Sequence, residues 1–316
     1  MQTSAAPAMD DHMAHMSAAD MAAPHASASS AQGMVGFPAS NNSADARLKA
    51  SNRHSEWVKI AWEPGSKDSL MAWVVYPSTK TKAPVVVVVH EIFGLSTWVR
   101  GVADQVAAEG FIAIAPDLNS RVRGGPSTVE LTGDSARKII SGVNMAERTK
   151  GVIASANYAM QLPAATQKYA VIGYCWGGST VWGHAVNGGV AGFSGGVAFY
   201  GAPFMNPGMA ATATMPAMPA TVAADSLAKI KVPVMLLNGS KDGRIGNAMP
   251  AVDSIMKAMK KDYFGKNYEG AEHGFLRAQD DQKNPRDEAG EIANVAAVKD
   301  GWPRTIAFLK KNLGVK

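Results

Sequence analysis

The order of apolar and helical segments predicts an α/β fold, with a mostly parallel central sheet, helices on both faces and an antiparallel hairpin at the start. Three observations carry this. Val85-Val86-Val87-Val88-Val89, entered through Ala83-Pro84, is β-branched without polar alternation, the pattern of a central strand covered on both faces. Shorter apolar runs at Tyr169–Ile172 and Val232–Leu237 repeat it. Helix-compatible stretches lie between and after them (Thr97 to Glu109, the run through His184, Ala248 to Lys260), which is the alternation that builds a parallel sheet. Ahead of these, two alternating runs, Trp57–Trp62 and Leu70–Tyr76, flank a turn at Pro64-Gly65-Ser66 and read as the hairpin.

Gly173-Tyr174-Cys175-Trp176-Gly177-Gly178 follows the second strand and precedes a helix, and Cys175 is the chain's single cysteine. A nucleophile at the tip of a sharp strand-to-helix turn has this context, with glycines where helix and strand come too close for a Cβ. The plainer reading is a buried cysteine in a Gly-rich turn.

Partners for a nucleophile follow in the order such a fold requires, acid before histidine. Asp242 lies in the turn cluster Asn238–Gly243 after the strand Val232–Leu237, where it would otherwise be only a turn residue. His273 follows a strand-like stretch at Tyr263-Phe264, in a loop that continues to Arg277. His184 lies nine residues beyond Cys175 on the same helix, about 13 Å along its axis, out of reach of the thiol. His90 precedes the nucleophile, against the expected order. Glu91, just after the Val-rich strand, stands either beside the ligand crevice at a strand's carboxyl end or in a structural ion pair.

Together these pieces resemble the dienelactone hydrolases (carboxymethylenebutenolidases) of the α/β-hydrolase superfamily. The matching residues are His90-Glu91-Ile92-Phe93-Gly94, Ala115-Pro116-Asp117-Leu118, Gly173–Gly178, Asp242, Tyr268-Glu269 through His273-Gly274-Phe275-Leu276-Arg277, and a closing run Arg304–Leu309. The resemblance covers roughly residues 55 to 313. It implies an α/β-hydrolase fold, a triad of Cys175, Asp242 and His273, and Glu91 as an extra carboxylate that takes the thiol proton when substrate binds. It further implies an oxyanion hole from the backbone N–H groups of Ile92 and Trp176. Arg277, with Arg137 as the second arginine, would hold a substrate carboxylate. The implied activity is opening of a small carboxylated lactone or activated ester through a thioester, with no cofactor and no metal.

The types suit that chemistry. The thiolate, not the thiol, is the nucleophile, so a neighbouring base must take its proton. Paired guanidinium hydrogen bonds suit a carboxylate.

Composition bounds the rest. The 316 residues carry a formal charge of +5, without a basic stripe interleaved with aromatics, so nucleic acid is not an expected partner. A single cysteine excludes an intrachain disulfide, and no apolar run is long enough for a membrane span. The expected partner is a small ester or lactone, acted on by a monomer, with a dimer left open. Residues 1–52 read as a disordered Ala/Met/His-rich tail, and 53–316 as the catalytic domain. Met9, His12, Met13, His15, Met16, Met21 and His25 are copper-type ligands, which keeps a metal-handling protein in view beside a broad carboxylesterase. The lack of a signal-like start suits the cytoplasm; a tail of this kind would also suit an exported chain without its signal. Residues 202–226, rich in Pro and Met, read as an inserted loop that is either a lid or inert.

Overall fold

The computed structural model describes residues 33–127, 133–211, 215–279 and 288–315. The His/Met-rich segment Met9 to His25 lies outside them.

The hairpin forms from β1 (Ser55–Ala61) and β2 (Ser69–Val75), whose alternate residues are buried. The Val-rich run is β3 (Ala83–Val89), buried at every position as two-sided cover requires. The remaining strands of the large sheet are β4 (Ile112–Asp117), β5 (Ala165–Tyr174), β6 (Phe193–Phe199), β9 (Val234–Gly239) and β10 (Tyr263–Tyr268). Their spatial order is β1-β2-β4-β3-β5-β6-β9-β10. β2 pairs antiparallel on both sides, and from β4 to β10 every neighbouring pair is parallel. This is the α/β arrangement expected, hairpin included.

Helices cover the sheet: α2 (Thr97–Ala108), α3 (Gly133–Ile140), α4 (Met145–Met160), α5 (Trp176–Val186), α6 (Met249–Ala258) and α7 (Glu288–Leu313), after a short α1 (Ala44–Ala50). α4 starts cleanly because Asn144 and Glu147 form a capping box, each side chain bonding the other's backbone N–H. Parallel strands end on one side of a sheet, so the loops after β3, β5, β6, β9 and β10 converge at one edge.

One boundary differs from the sequence reading. Residues 33–52 are built into the domain rather than forming part of a disordered tail. Ala39 and Ala44 are buried, Trp98 Nε1 donates to Ala39 O at 2.9 Å, and Arg47 donates to Phe37 O at 2.6 Å and to Gln105 Oε1 at 2.8 Å. Composition misses this because small and polar residues serve here through backbone carbonyls rather than an apolar stripe. Within 202–226, read as an inserted loop that is a lid or inert, β7 (Met205–Asn206) pairs with β8 (Thr221–Val222), and Met209 pairs with Met218 beyond them. Met209, Met215 and Met218 are exposed. Among the described residues, no helix is long and apolar enough to cross a membrane.

The stitch between the N-terminal segment and α2 generates a test. Asp104 accepts from Ser51 Oγ at 2.6 Å and from Arg53 Nε at 2.9 Å, and is nearly buried. Removing one partner of a covered ion pair strands the other charge, at less than the 3–5 kcal/mol of a fully buried pair because Arg53 keeps some solvent. Asp104→Ala is expected to lower the unfolding free energy in urea by about 2 kcal/mol.

Candidate active site

Cys175 stands between β5 and α5 at φ 55° and ψ −115°, a conformation that L residues rarely hold. Its backbone is fixed at both ends, N–H to Phe199 O and C=O from Ser179 N, each at 3.0 Å. The turn can close because Gly177 lies against the carbonyls of Val89 and His90, where a Cβ would sit 2.5 Å from His90 O. Gly178 and Gly201 similarly leave no room for side chains between α5 and the end of β6. Cys175 is therefore nearly buried, at the positive end of α5, which favours negative charge.

His273, in the loop after β10, donates from Nδ1 to Asp242 Oδ2 at 2.6 Å. Asp242 follows β9, and its other oxygen accepts from Ile245 N. Burial by itself would raise the Asp242 pKa, but the hydrogen bond and charge of His273 hold it below the usual carboxylate range. For His273 burial pulls downward; Cys175 and Asp242 outweigh it, so its pKa stands well above the ordinary imidazole value. Cys175 acts on the His273 ring both through space and through a hydrogen bond to its sulfur. The imidazole of His273 thus stands between the carboxylate of Asp242 and the sulfur of Cys175.

Glu91 is buried, with Oε2 2.9 Å from Arg277 Nε. Of the two readings left open for Glu91, the ion pair is present, and Glu91 follows the carboxyl end of β3, next in the sheet to the strand that leads to Cys175. The Arg277 guanidinium also lies over the Phe93 ring, 5.4 Å from its centroid. Among the described residues, no backbone carbonyl takes the N–H of Ile92 or of Trp176, although both residues are buried. Trp176 opens α5, where the first N–H groups have no partner within the helix, and Ile92 follows β3, next in the sheet to the strand that leads to Cys175.

The sequence-derived residues Glu91, Ile92, Cys175, Trp176, Asp242, His273 and Arg277 are thus brought to one place. Arg137 lies on α3, with its side chain outside what the structure describes. The rival His184 is spent elsewhere: its Nε2 meets Tyr169 Oη at 2.8 Å, and burial pushes its pKa down to about 3. Sequence reasoning missed Tyr200, at φ 39°, whose ring lies 5.0 Å from that of His273. It also missed Tyr174; both phenols are fully buried, and burial together with the Glu91 charge raises their pKa values. Their positions at the carboxyl ends of β5 and β6 were the available signal.

A family model described as "Dienelactone hydrolase family" matches residues 70–313. A "Putative carboxymethylenebutenolidase" of Methylorubrum extorquens is 29% identical over 204 residues, 64% of this chain and 65% of that protein. The match therefore spans just under two thirds of that relative's length. A protein of the same name from Synechocystis sp. is 29% identical over 262 residues, 79% of this chain and 95% of its own. Among solved structures, a "Putative Dienelactone Hydrolase" from Klebsiella pneumoniae superposes with a TM-score of 0.60 at 24% identity, covering 81% of this chain and 98% of that one. At that identity the superposition speaks for the fold.

The His273 environment sets a pH dependence of stability. Its folded pKa lies above the unfolded value of about 6.5, so the contribution is complete below that pH and is lost as pH rises through the folded pKa. The difference in urea-unfolding free energy between wild type and His273→Gln should therefore be largest near pH ~6 and shrink toward alkaline pH. A difference that grows with pH would contradict this charge state.

Proposed function

This chain belongs to the dienelactone hydrolase family, and we propose that it opens a small carboxylated lactone or activated ester through a thioester on Cys175. One observation carries the reading: a buried arginine, Arg277, pairs with the buried carboxylate of Glu91, which follows β3, the strand next to the one that leads to Cys175. A substrate carboxylate can take that guanidinium in place of Glu91, so substrate charge and activation of the thiol become one event.

In the proposed sequence the Cys175 thiolate attacks the acyl carbon, and the carbonyl π electrons pass to oxygen. The N–H groups of Ile92 and Trp176 receive that oxyanion; losing one such donor costs on the order of 3 kcal/mol in comparable enzymes. Collapse breaks the bond to the leaving oxygen, which takes the proton held by His273. The neutral imidazole, oriented by Asp242, then removes a proton from water as it attacks the thioester. Release of the acid returns the thiolate and imidazolium. Because the His273 pKa stands well above the ordinary imidazole value, a proton on the sulfur needs another acceptor; Glu91 freed from Arg277 takes it and returns it to the sulfur when the acid leaves and Glu91 pairs with Arg277 again. Arg137 is the proposed second contact for the substrate carboxylate.

The test is substrate charge. A two-point contact to a carboxylate is worth roughly 1.5–3 kcal/mol, so Arg277→Met should lower kcat/KM for a carboxylated lactone about ten- to a hundredfold relative to a neutral ester of similar size. Taking the ratio removes any loss common to both substrates, including that from a stranded Glu91. Cys175→Ala should abolish both activities with the fold retained. An unchanged ratio in Arg277→Met points to a broad carboxylesterase, with the Met-rich segment 202–226 as the element that selects substrate.

A further inference from the structure

His90 was set aside as a partner for the thiol because it precedes Cys175 in the chain, yet it is fully buried and both ring nitrogens are engaged. Nε2 accepts from the backbone N–H of Leu118 at 3.0 Å, so it carries no proton. The proton is therefore on Nδ1, which donates to the carbonyl of Glu91 at 2.5 Å. Burial lowers the His90 pKa, in keeping with this neutral form.

The consequence follows from peptide geometry. The carbonyl of Glu91 and the N–H of Ile92 belong to one planar unit, and in a trans peptide they point in opposite directions. Pinning that carbonyl aims the N–H of Ile92 the other way. The ring of His90 also stacks on Trp176, with centroids 5.4 Å apart and planes within 13°, and Trp176 carries the second unpaired N–H. Arg148, nearly buried, lies with Cζ 4.3 Å from the Trp176 ring centroid and steadies the same indole. Backbone contact between Gly177 and His90 joins the two strand ends directly.

We propose that His90 is the positioning residue of the oxyanion hole, setting Ile92 N–H through the Glu91 carbonyl and registering it against Trp176 through the stacked rings. This rests on the hydrolase reading above, and it assigns His90 no proton transfer and no contact with substrate.

The experiment separates oxyanion stabilisation from thiolate reactivity. Acylation of Cys175 by p-nitrophenyl acetate passes through an oxyanion, whereas methylation of the same sulfur by iodomethane does not. In His90→Phe, which keeps a ring against Trp176 but has no donor, the acylation burst should slow by about ten- to a hundredfold, with methylation within about twofold of wild type. His90→Asn, whose amide can place a donor where Nδ1 stood, should recover most of the acylation rate. His90→Gln, which places it at the Nε2 position, should not. These polar variants decide the matter even where the Phe variant fails to fold. Equal loss of acylation and methylation would overturn the proposal, as would full acylation in His90→Phe or no difference between Asn and Gln. A wild type that is methylated but shows no burst with activated esters would bring down the hydrolase reading and this inference with it; failure confined to the variants touches His90 alone.

Discussion

The turn at Cys175 exists because three pieces of backbone touch. Gly177 meets the carbonyls at the end of β3, and Gly178 meets Gly201 at the end of β6. A methyl group at either contact would push α5 away from the sheet, and close-packed interiors have no slack to absorb that. With the contact made, the residue before the helix is forced to φ 55°. A strained residue persists only where its surroundings over-determine it, and here bonds to Phe199 and Ser179 hold both of its peptide groups. The same contact brings the loop after β3 against the start of α5. At that juxtaposition, among the described residues, no backbone carbonyl takes the N–H of Ile92 or of Trp176.

Charge at the site is balanced in two linked pairs. Asp242 and His273 form one and Glu91 with Arg277 the other, and all four are almost wholly covered. Burying single charges without partners is strongly unfavourable, and removing one member of a buried pair leaves that penalty behind. On the proposed reading, an anionic substrate meets the condition for exchange: it brings its own negative charge to Arg277 as Glu91 gives it up. The buried phenols of Tyr174 and Tyr200 add no compensating cation. They sit in the Glu91 field, which disfavours their ionisation further and keeps them neutral.

Much of this was legible in the sequence where a local rule had a single solution. The Val-rich strand could be only a covered strand, the Gly-flanked Cys175 fits a tight elbow, and Asp242 and His273 follow their strands in the one order the fold allows. The places of His90, Tyr174 and Tyr200 near Cys175 and His273 were not legible, because each is set by where a neighbouring strand ends, and that depends on the order β4-β3-β5-β6. Composition misjudged the N-terminal boundary for a related reason. Pro38, Ala39 and Asn41 engage the domain with backbone atoms, which every residue type possesses. No pattern of side chains announces them.

That N-terminal segment ties together the same two loops that the Glu91–Arg277 pair joins from within. Asn41 N–H donates to the carbonyl of Arg277 at 2.9 Å, and Gln279 Nε2 donates to Pro38 O at 3.1 Å. Trp98, on the helix that follows the Glu91 loop, donates to Ala39 O. The His273–Arg277 loop and the β3–α2 loop are therefore connected twice. One connection is an ion pair, which another anion can replace. The other is a set of hydrogen bonds to main-chain groups, in which no carboxylate can compete for the backbone position. On the proposed reading, Glu91 can leave Arg277 while the loop that carries Arg277 and His273 stays where it is. Exchange then moves one side chain and leaves the geometry around Cys175 unchanged.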